Sequence, residues 1–271
     1  PRINAGGRVG KCSHGANLLL NKDPKITFKI ASELEQYNKE RQILEKELLK
    51  KILDQKKTYI NDPVLIISGS NWHEGVIGIV AARLKDKFNK PAIIISLEEG
   101  IGKASARSIV GFDIGSVIIA ATQENILLKG GGHKMAGGFS IKVENIEKFK
   151  SFVFRKFKSI NEDLSSNKPL LLDSIISPSA VNLDFFNKVA LLSPFGSGNP
   201  EPKFVIENVR TVNGKIVGEK HIKSVLIGQD GSTVKSIAFN AVDNDFGGYL
   251  IKKNNKIFNI AGNLSLNEWK G

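Results

Sequence analysis

The chain has 271 residues and a formal charge of +12 at pH 7, because 39 Lys and Arg outnumber 27 Asp and Glu. Its 41% hydrophobic and 24% charged residues are typical of globular proteins and argue against intrinsic disorder. One Cys excludes a disulfide scaffold and a multi-cysteine metal site, and it suits a reducing cytoplasm. No apolar run approaches the ~18 residues of a membrane span. The excess of basic residues favours a polyanionic partner such as nucleic acid. The alternative is that it reflects only solvent-facing helices rich in lysine.

The first sixty residues predict a loop followed by helices. Residues 1–12 are rich in glycine, arginine and asparagine, which is typical of a loop, and residues 15–21 predict a short helix after a Ser13 cap. Asp23 and Pro24 then predict the start of a long helix, because a capping carboxylate followed by proline suits the first helical turn. Apolar residues recur along it at helical spacing, so we expect a linking helix packed along one side.

Residues 63–164 alternate between short apolar strands and amphipathic helices. The predicted strands are 64–68, 91–96, 103–108 and 139–143. The predicted helices are 75–88, 113–129 and one that ends near residue 164. This alternation favours an α/β domain with helices packed on a sheet.

Strands predominate after a polar linker at residues 165–169. The candidates are 168–177, 207–217, 223–227, 233–240 and 256–266, with one helix near 182–192. Short strands separated by Gly- and Asn-rich turns favour a small barrel such as an OB-fold. The chain starts with Pro1, and its last strand has no closing element after it, so we expect it to begin and end inside a longer protein.

The densest polar motif is the stretch 130–138, in which five glycines surround His133. It lies between a predicted helix and a predicted strand. Glycines let a backbone approach a ligand and can present successive N–H groups to an anion, and a histidine beside them can bind a phosphate or transfer a proton. A flexible turn with an incidental histidine gives the same pattern, so both interpretations stay open.

Other stretches also carry donors suited to phosphate. Ser105 and Arg107 are two residues apart, so a strand would place this hydroxyl and guanidinium on one face. Residues 1–8 form a basic, glycine-rich segment, and His73 precedes a predicted helix whose free N–H groups favour anions. The alternatives are a solvated strand face, a surface loop, and a histidine that packs beside Trp72.

The remaining polar residues give weaker signals. His14 and His221 lack companions at metal-ligand spacing, Asp243 and Asp245 fall in a predicted turn without a nearby histidine, and Cys12 has no evident activating partner. The sequence also lacks HExxH, a Walker A motif and any Asp/His cluster able to hold two catalytic metal ions.

Together the motifs resemble the C-terminal two-thirds of the RecJ family, single-strand-specific exonucleases of the DHH phosphoesterase superfamily. The matching stretches are PRINAGGR at 1–8, ERQ at 40–42, WHEGVIGIVA at 72–81, SARS at 105–108, GGHKMAGG at 131–138 and PFGSGNPEP at 194–202. Each is weak alone, but they follow the family order over nearly the whole chain. Gly6 is a departure, since alanine is common there in the family.

The resemblance implies an α/β fold in which a long helix joins a DHHA1-type domain to the remnant of a DHH domain, followed by an all-β OB-fold barrel. Residues 1–60 would be the end of the DHH domain and the connector, residues 61–164 the DHHA1 substrate-binding domain, and residues 168–271 a truncated OB-fold domain. The family's Mn²⁺ or Mg²⁺ ligands lie in DHH motifs that this sequence lacks. The resemblance therefore implies a substrate-binding part that is inactive as a nuclease by itself.

The resemblance also implies roles for single residues. His133 would be a catalytic residue beside the scissile phosphate, and Arg2 would be a less favoured substitute for Arg8 at the 5′-phosphate. The implied 5′-phosphate and substrate-binding residues are Asn4, Arg8, His73, Ser105, Arg107, Gly131 and Gly132.

The implied activity is 5′→3′ hydrolysis of single-stranded DNA in repair and recombination, by a monomer in the bacterial cytoplasm that has no membrane contact. A helicase and a single-strand-binding protein are the implied partners. One alternative is a DHH/DHHA1 phosphoesterase acting on oligoribonucleotides or cyclic dinucleotides, against which the barrel region argues. Another is a non-catalytic single-strand-binding module, against which the missing initiator Met argues.

Overall fold

The computed structural model describes residues 2–160, 170–196, 198–242, 245–251 and 256–267. The expected linker, the turn residues Asp243 and Asn244 and the last residues, 268–271, lie outside the described residues. The chain divides into two compact units, Pro1–Ser166 and Asn167–Gly271. Within the described ranges, no helix is both long and apolar enough to cross a membrane.

The first unit begins with helical turns, which corrects the prediction of a loop. A 3-10 turn at Ile3–Ala5 continues directly into α1 (Gly6–Val9), and α2 spans His14–Leu20. Gly6 is buried, and a Cβ at this position would lie 2.6 Å from the Lys11 carbonyl oxygen. The glycine at this position therefore serves close packing, which its loop-like sequence does not reveal.

The long helix α3 spans Pro24–Asp54, which confirms the helix start predicted from Asp23 and Pro24. Asp23 Oδ1 accepts a hydrogen bond from the Lys25 backbone N–H at 2.8 Å, which satisfies one of the free donors of the first turn. Ser13 makes no such bond, and α2 begins without a side-chain cap.

A five-stranded mixed sheet forms the centre of the first unit. Its strands are β1 (Leu65–Ser70), β2 (Ala92–Glu98), β3 (Ile101–Arg107), β4 (Lys129–His133) and β5 (Ala136–Lys142). Their spatial order is β1-β2-β3-β5-β4. β1 and β2 are parallel and are connected through α4 (Glu74–Phe88), while all other neighbours are antiparallel.

The two faces of this sheet are covered unequally. Helices α5 (Ile114–Gln123) and α6 (Ile146–Ile160) cover one face, over a core that includes Ile93 and Phe139. Helices α3 and α4 cover the other face, where the strand residues of the core, such as Ile94, come from β1 and β2. On this second face β4 and β5 stay open.

The glycine-rich stretch is a β-hairpin, which corrects the prediction of a helix to residue 129 and a loop after it. α5 ends at Gln123, and His133 closes β4 opposite Ala136 of β5. Glycine usually weakens a strand. Here part of it is required by packing, because a Cβ on Gly137 would lie 2.5 Å from Ile118 Cδ1 of α5.

The second unit is an open half-barrel. Its strands are β6 (Ser174–Ile175), β7 (Phe204–Val217), β8 (His221–Ile227), β9 (Thr233–Ala238) and β10 (Phe258–Gly262), and its helices are α7 (Leu183–Ala190) and α8 (Asp245–Ile251). The order is β10-β7-β8-β9, with β6 beside the start of β7. β7 pairs with β10 from Phe204 to Val209 and with β8 from Arg210 to Val217, and the second pairing contains a register shift between Thr211 and Asn213.

Two elements of this unit differ from the prediction. The expected strand at 168–177 is reduced to the two residues of β6. α8 was not predicted from the sequence, because it contains two adjacent glycines and glycine is a poor helix former. A Cβ on Gly247 would lie 1.9 Å from the Ala241 carbonyl oxygen, so close packing accounts for one of them.

A buried ion cluster joins α3 to α4 in the first unit. Glu45 is 3% exposed, and its carboxylate pairs with Arg41 one turn earlier in α3 and with Arg83 of α4. Arg41 also donates to Asn38 Oδ1 at 3.2 Å. These partners offset the cost of removing a carboxylate from water, so charge as well as apolar packing fixes the long helix to the sheet domain.

We expect Glu45→Ala to destabilise the first unit by about 3 kcal/mol, because the largely buried guanidinium of Arg41 loses its carboxylate. Urea unfolding followed by circular dichroism measures the change. Glu47→Ala removes an exposed carboxylate from the same helix and should change the free energy of unfolding by less than about 0.5 kcal/mol. Equal effects of the two substitutions would contradict this role for Glu45.

Candidate nucleic-acid interface

The open sheet face presents three rows of side chains across β3, β5 and β4, because directly paired residues of neighbouring strands share a face. The rows are Arg107, Ala136 and His133; Ser105, Gly138 and Gly131; and Lys103, Ser140 and Lys129. Adjacent strands lie ~4.8 Å apart, so β3 and β4 are ~10 Å apart across β5. We call this surface the sheet groove; cationic and hydroxyl groups border it, and small residues form its floor.

Packing within the fold does not require glycine at position 131, on the floor of the sheet groove. A Cβ on Gly131 would meet no atom within 4 Å, and one on Gly138 would meet only the Ala104 carbonyl oxygen, at 3.3 Å. Gly137, which faces the opposite side, has no such space. The two floor glycines therefore leave room for a ligand between β3 and β4.

Arg107 and Ser105 form a rigid pair of donors at one wall. The Arg107 Nη1 group donates to the Ala106 carbonyl oxygen at 2.7 Å and to Ser105 Oγ at 3.2 Å. Burial lowers the pKa of Arg107, and the neighbouring Arg8 guanidinium lowers it further. Arginine nevertheless stays charged at neutral pH, so a bound anion would stabilise this site.

Arg8 approaches the same wall from α1. Its Nη1 group donates to the Gly75 carbonyl oxygen, in the first turn of α4, at 3.2 Å. Within the part of the chain that the structure describes, neither Arg8 nor Arg107 forms an ion pair. Two guanidinium groups without a carboxylate, beside the hydroxyl of Ser105, suit a phosphate group.

His133 lies at the end of β4, in the same row as Arg107 but two strands away. Its Nδ1 atom accepts a hydrogen bond from the Met135 backbone N–H at 3.3 Å, and its ring is exposed. The Nε2 atom therefore remains available to a ligand, at a point ~10 Å across the groove from the arginine pair. Gly132 lies beside it with the opposite orientation, facing away from the groove.

His73 and Asn4 are placed differently from these residues. His73 is the N-cap of α4, where its Nδ1 atom accepts a hydrogen bond from the Gly75 backbone N–H at 3.0 Å. Asn4 lines a second concavity, formed by α1 and α2, together with Arg8 and Cys12. The structure thus brings Arg8 close to the Ser105–Arg107 pair, while Asn4 lies with Arg8 in the second concavity and the Nδ1 atom of His73 is used by its capping bond.

Two lysines that border the groove were not predicted from the sequence. Lys103 forms an ion pair with Glu74 at 2.6 Å, and the hydrogen bond and charge of Glu74 raise the pKa of Lys103. Lys129 lies opposite, on β4. The alternation of 103, 105 and 107 contained the signal for the first lysine, but the second becomes visible only when β4 is recognised as a strand.

The described residues offer no metal site. None of them belongs to a group of three or more His, Cys, Asp or Glu that could hold a metal ion. Most charged side chains of the sheet groove are cations, which do not ligate divalent metals. The groove therefore suits an anion rather than Mg²⁺ or Mn²⁺.

The outer face of the half-barrel has a related character. Eight outward positions, on the second half of β7 and on β8 and β9, include three lysines. They are Asn213, Lys215, Val217, His221, Lys223, Val225, Lys235 and Ile237. Phe239 follows β9, is 69% exposed, and packs edge-on against the His221 ring with centroids 5.3 Å apart. We call this surface the half-barrel face.

Comparisons with known proteins match a domain model to each of the two units. The model of the DHHA1 domain matches residues 61–159, and the model of the RecJ OB domain matches residues 172–271. The single-stranded-DNA-specific exonuclease RecJ of Bacillus subtilis is 29% identical over 278 residues, which is 99% of this chain and 34% of that protein. The chain is the DHHA1 and OB region of a RecJ-family protein.

Further RecJ proteins support this assignment. RecJ of Thermus thermophilus is 33% identical over 76% of this chain and 29% of its own length. The crystal structure of T. thermophilus RecJ in complex with Mg²⁺ matches all of this chain and 40% of that one, with 29% identity and a TM-score of 0.78; the Mn²⁺ complex gives 0.75. The expected fold class is confirmed. The chain spans about a third to a half of the curated RecJ proteins of B. subtilis and Haemophilus influenzae.

The different surroundings of Gly131 and Gly137 predict different effects of substituting these two glycines on thermal stability. We expect Gly131→Val to leave the melting temperature within about 2 °C of the unsubstituted chain, because the added side chain enters open space. Gly137→Val should lower it by about 4 °C or more, because the side chain would overlap Ile118. Thermal unfolding by circular dichroism makes the comparison, and a reversed order of the two variants would refute the assigned faces.

Proposed function

We propose that this chain is the substrate-binding part of a single-stranded-DNA-specific exonuclease, and that its sheet groove binds the 5′-phosphorylated end of the strand. The observation that carries the proposal is the convergence of Arg8 and Arg107 beside the hydroxyl of Ser105, with neither arginine in an ion pair within the described part of the chain. The RecJ relatives are single-stranded-DNA-specific exonucleases, which supports the choice of single-stranded DNA.

A terminal phosphate fits this site better than an internal one. A phosphate monoester carries a charge of about −1.5 to −2 at pH 7, whereas a phosphodiester carries one negative charge. Two adjacent guanidinium groups in a partly buried site gain more from the monoester, and each can donate two parallel hydrogen bonds to its oxygens. The arginine pair thereby discriminates the end of a strand from its middle.

The rest of the sheet groove would accommodate the first nucleotides. Gly138 and Gly131 leave space for a sugar and a base over β5, and the free Nε2 of His133 can donate a hydrogen bond to a phosphate oxygen farther along the strand. Holding the end at a fixed place sets the distance to the bond that is cut. This provides a physical basis for digestion from the 5′ end, in the 5′→3′ direction.

Hydrolysis itself would need metal ions that the described residues of this chain do not hold. The T. thermophilus RecJ structures contain Mg²⁺ or Mn²⁺, and such ions activate water and stabilise charge on phosphate oxygens. The contribution of this chain is to bind and orient the strand.

The half-barrel face would bind the strand independently of its end. Lys215, Lys223 and Lys235 supply phosphate contacts, and the exposed ring of Phe239 offers a surface on which a base can stack. The OB-fold commonly binds oligonucleotides on this part of its sheet. The helicase and single-strand-binding partners, the monomeric state and the cytoplasmic location stay predictions.

End recognition is tested by fluorescence anisotropy with one oligodeoxythymidine that carries either a 5′-phosphate or a 5′-hydroxyl. We expect tighter binding of the phosphorylated strand, and Arg107→Ala should weaken that binding by about 1.5–3 kcal/mol, the range for hydrogen bonds to charged groups. Arg155→Ala removes an exposed arginine from α6, on the opposite side of the sheet, and should not change the preference. Equal affinity for both strands would overturn the proposal.

The half-barrel face is tested by Phe239→Ala. We expect it to weaken binding by about 1–3 kcal/mol for phosphorylated and unphosphorylated strands alike, because stacking does not depend on the strand end. Phe28→Ala removes a similarly exposed phenylalanine from α3 and serves as the matched control. If both variants bind like the unsubstituted chain, Phe239 does not stack on a base.

A further inference from the structure

We infer that Gly78 of α4 is a positioning residue for the Arg107–Ser105 pair, because the missing side chain at this position lets the helix rest directly on the two donors. The inference rests on the proposed function, since its readout is recognition of the 5′-phosphate. It extends that function to a residue that lies outside the residues lining the groove.

The spacing around Gly78 shows why a side chain there would move both donors. A Cβ on Gly78 would lie 2.9 Å from Ser105 Oγ and 3.1 Å from Arg107 Nη2. Both distances are shorter than the ~3.5–4.0 Å of an optimal carbon contact. Both neighbours are the ends of side chains, so they can yield without any displacement of the backbone. The expected consequence is an altered donor geometry in an intact fold.

The helix itself cannot move away to relieve such a contact. Val76, Val80 and Leu84 of α4 are buried, with at most 1% of their surface exposed, in the core formed with β1 and β2. Lifting α4 would remove these side chains from their close-packed neighbours. The core thus fixes the height of the helix above β3, and the polar side chains beneath position 78 must adjust instead.

A glycine in the middle of this helix also needs an explanation. Glycine is among the least favourable residues inside a helix, and alanine is the most favourable. Gly78 lies within the 15-residue helix, so local stability favours a larger residue there. The contact with Ser105 and Arg107 supplies the reason for glycine at this position.

The segment that carries the second arginine, Arg8, contacts the same helix just as closely. A Cβ on Gly75, one turn earlier, would lie 2.0 Å from the Arg8 carbonyl oxygen, and Arg8 Nη1 donates to the Gly75 carbonyl oxygen. α4 therefore contacts both arginine-bearing segments at positions without a side chain. This places two guanidinium groups from distant parts of the chain at one site.

The test is Gly78→Ala in the 271-residue chain, with the 5′-phosphate and 5′-hydroxyl forms of one oligodeoxythymidine as probes. We expect the affinity for the phosphorylated strand to fall about tenfold or more, the size of one lost hydrogen bond to a charged group, and the affinity for the hydroxyl strand to stay unchanged. Because alanine is the better helix former, the melting temperature should not fall.

The ratio of the two affinities keeps the test decisive even if the variant is less stable. Unfolded protein lowers both apparent affinities by the same factor and leaves their ratio unchanged. Gly248→Ala, in α8, adds a Cβ that would meet no atom within 4 Å and should leave the ratio at its original value.

Failure of the inference and failure of the proposed function give different results. If the unsubstituted chain binds both strands equally, the proposed function fails. If the unsubstituted chain prefers the phosphate and Gly78→Ala keeps that preference, the positioning role of Gly78 is refuted while the proposed function stands. A preference lost in Gly78→Ala and kept in Gly248→Ala supports the inference.

Discussion

The proximity of two guanidinium groups, those of Arg8 and Arg107, is the constraint on which the candidate site depends. Like charges at short range repel, and partial burial of Arg107 removes part of the solvent that would screen them. The fold offsets this cost elsewhere. α4 is held by its apolar core, and the Glu45 cluster ties the long helix to it. A phosphate at the site would replace repulsion with attraction.

The β-sheet extends the arginine site into an elongated binding surface, because paired residues of neighbouring strands share a face. Alternation along β3 places Lys103, Ser105 and Arg107 on one face, and the register carries the same rows across β5 to β4. On the other face, a side chain at position 137 would overlap Ile118 of α5. On the groove floor, a side chain at position 131 would meet no atom of the protein within 4 Å. One hairpin therefore meets two separate requirements: close helix packing on one side and an open groove on the other.

Local signals in the sequence predicted much of the fold, because caps and periodicity depend on neighbouring residues. The Asp23–Pro24 pair, the buried strands and the shared face of Ser105 and Arg107 were all predictable in this way. The strand β4 and the start of β5 were missed because glycine is depleted in strands, and only tertiary packing against α5 explains them. The proximity of Arg8 to Arg107 likewise depends on a contact between residues about a hundred positions apart, which no local pattern encodes.

A crystal structure of this chain with a short 5′-phosphorylated oligodeoxynucleotide would show directly whether the two arginines bind the terminal phosphate. We expect electron density for the terminal phosphate within hydrogen-bond distance of the Arg8 and Arg107 guanidinium groups and Ser105 Oγ, with the first nucleotide lying over Gly138. A bound strand whose terminal phosphate lies elsewhere, with the sheet groove empty, would contradict 5′-phosphate binding at this site.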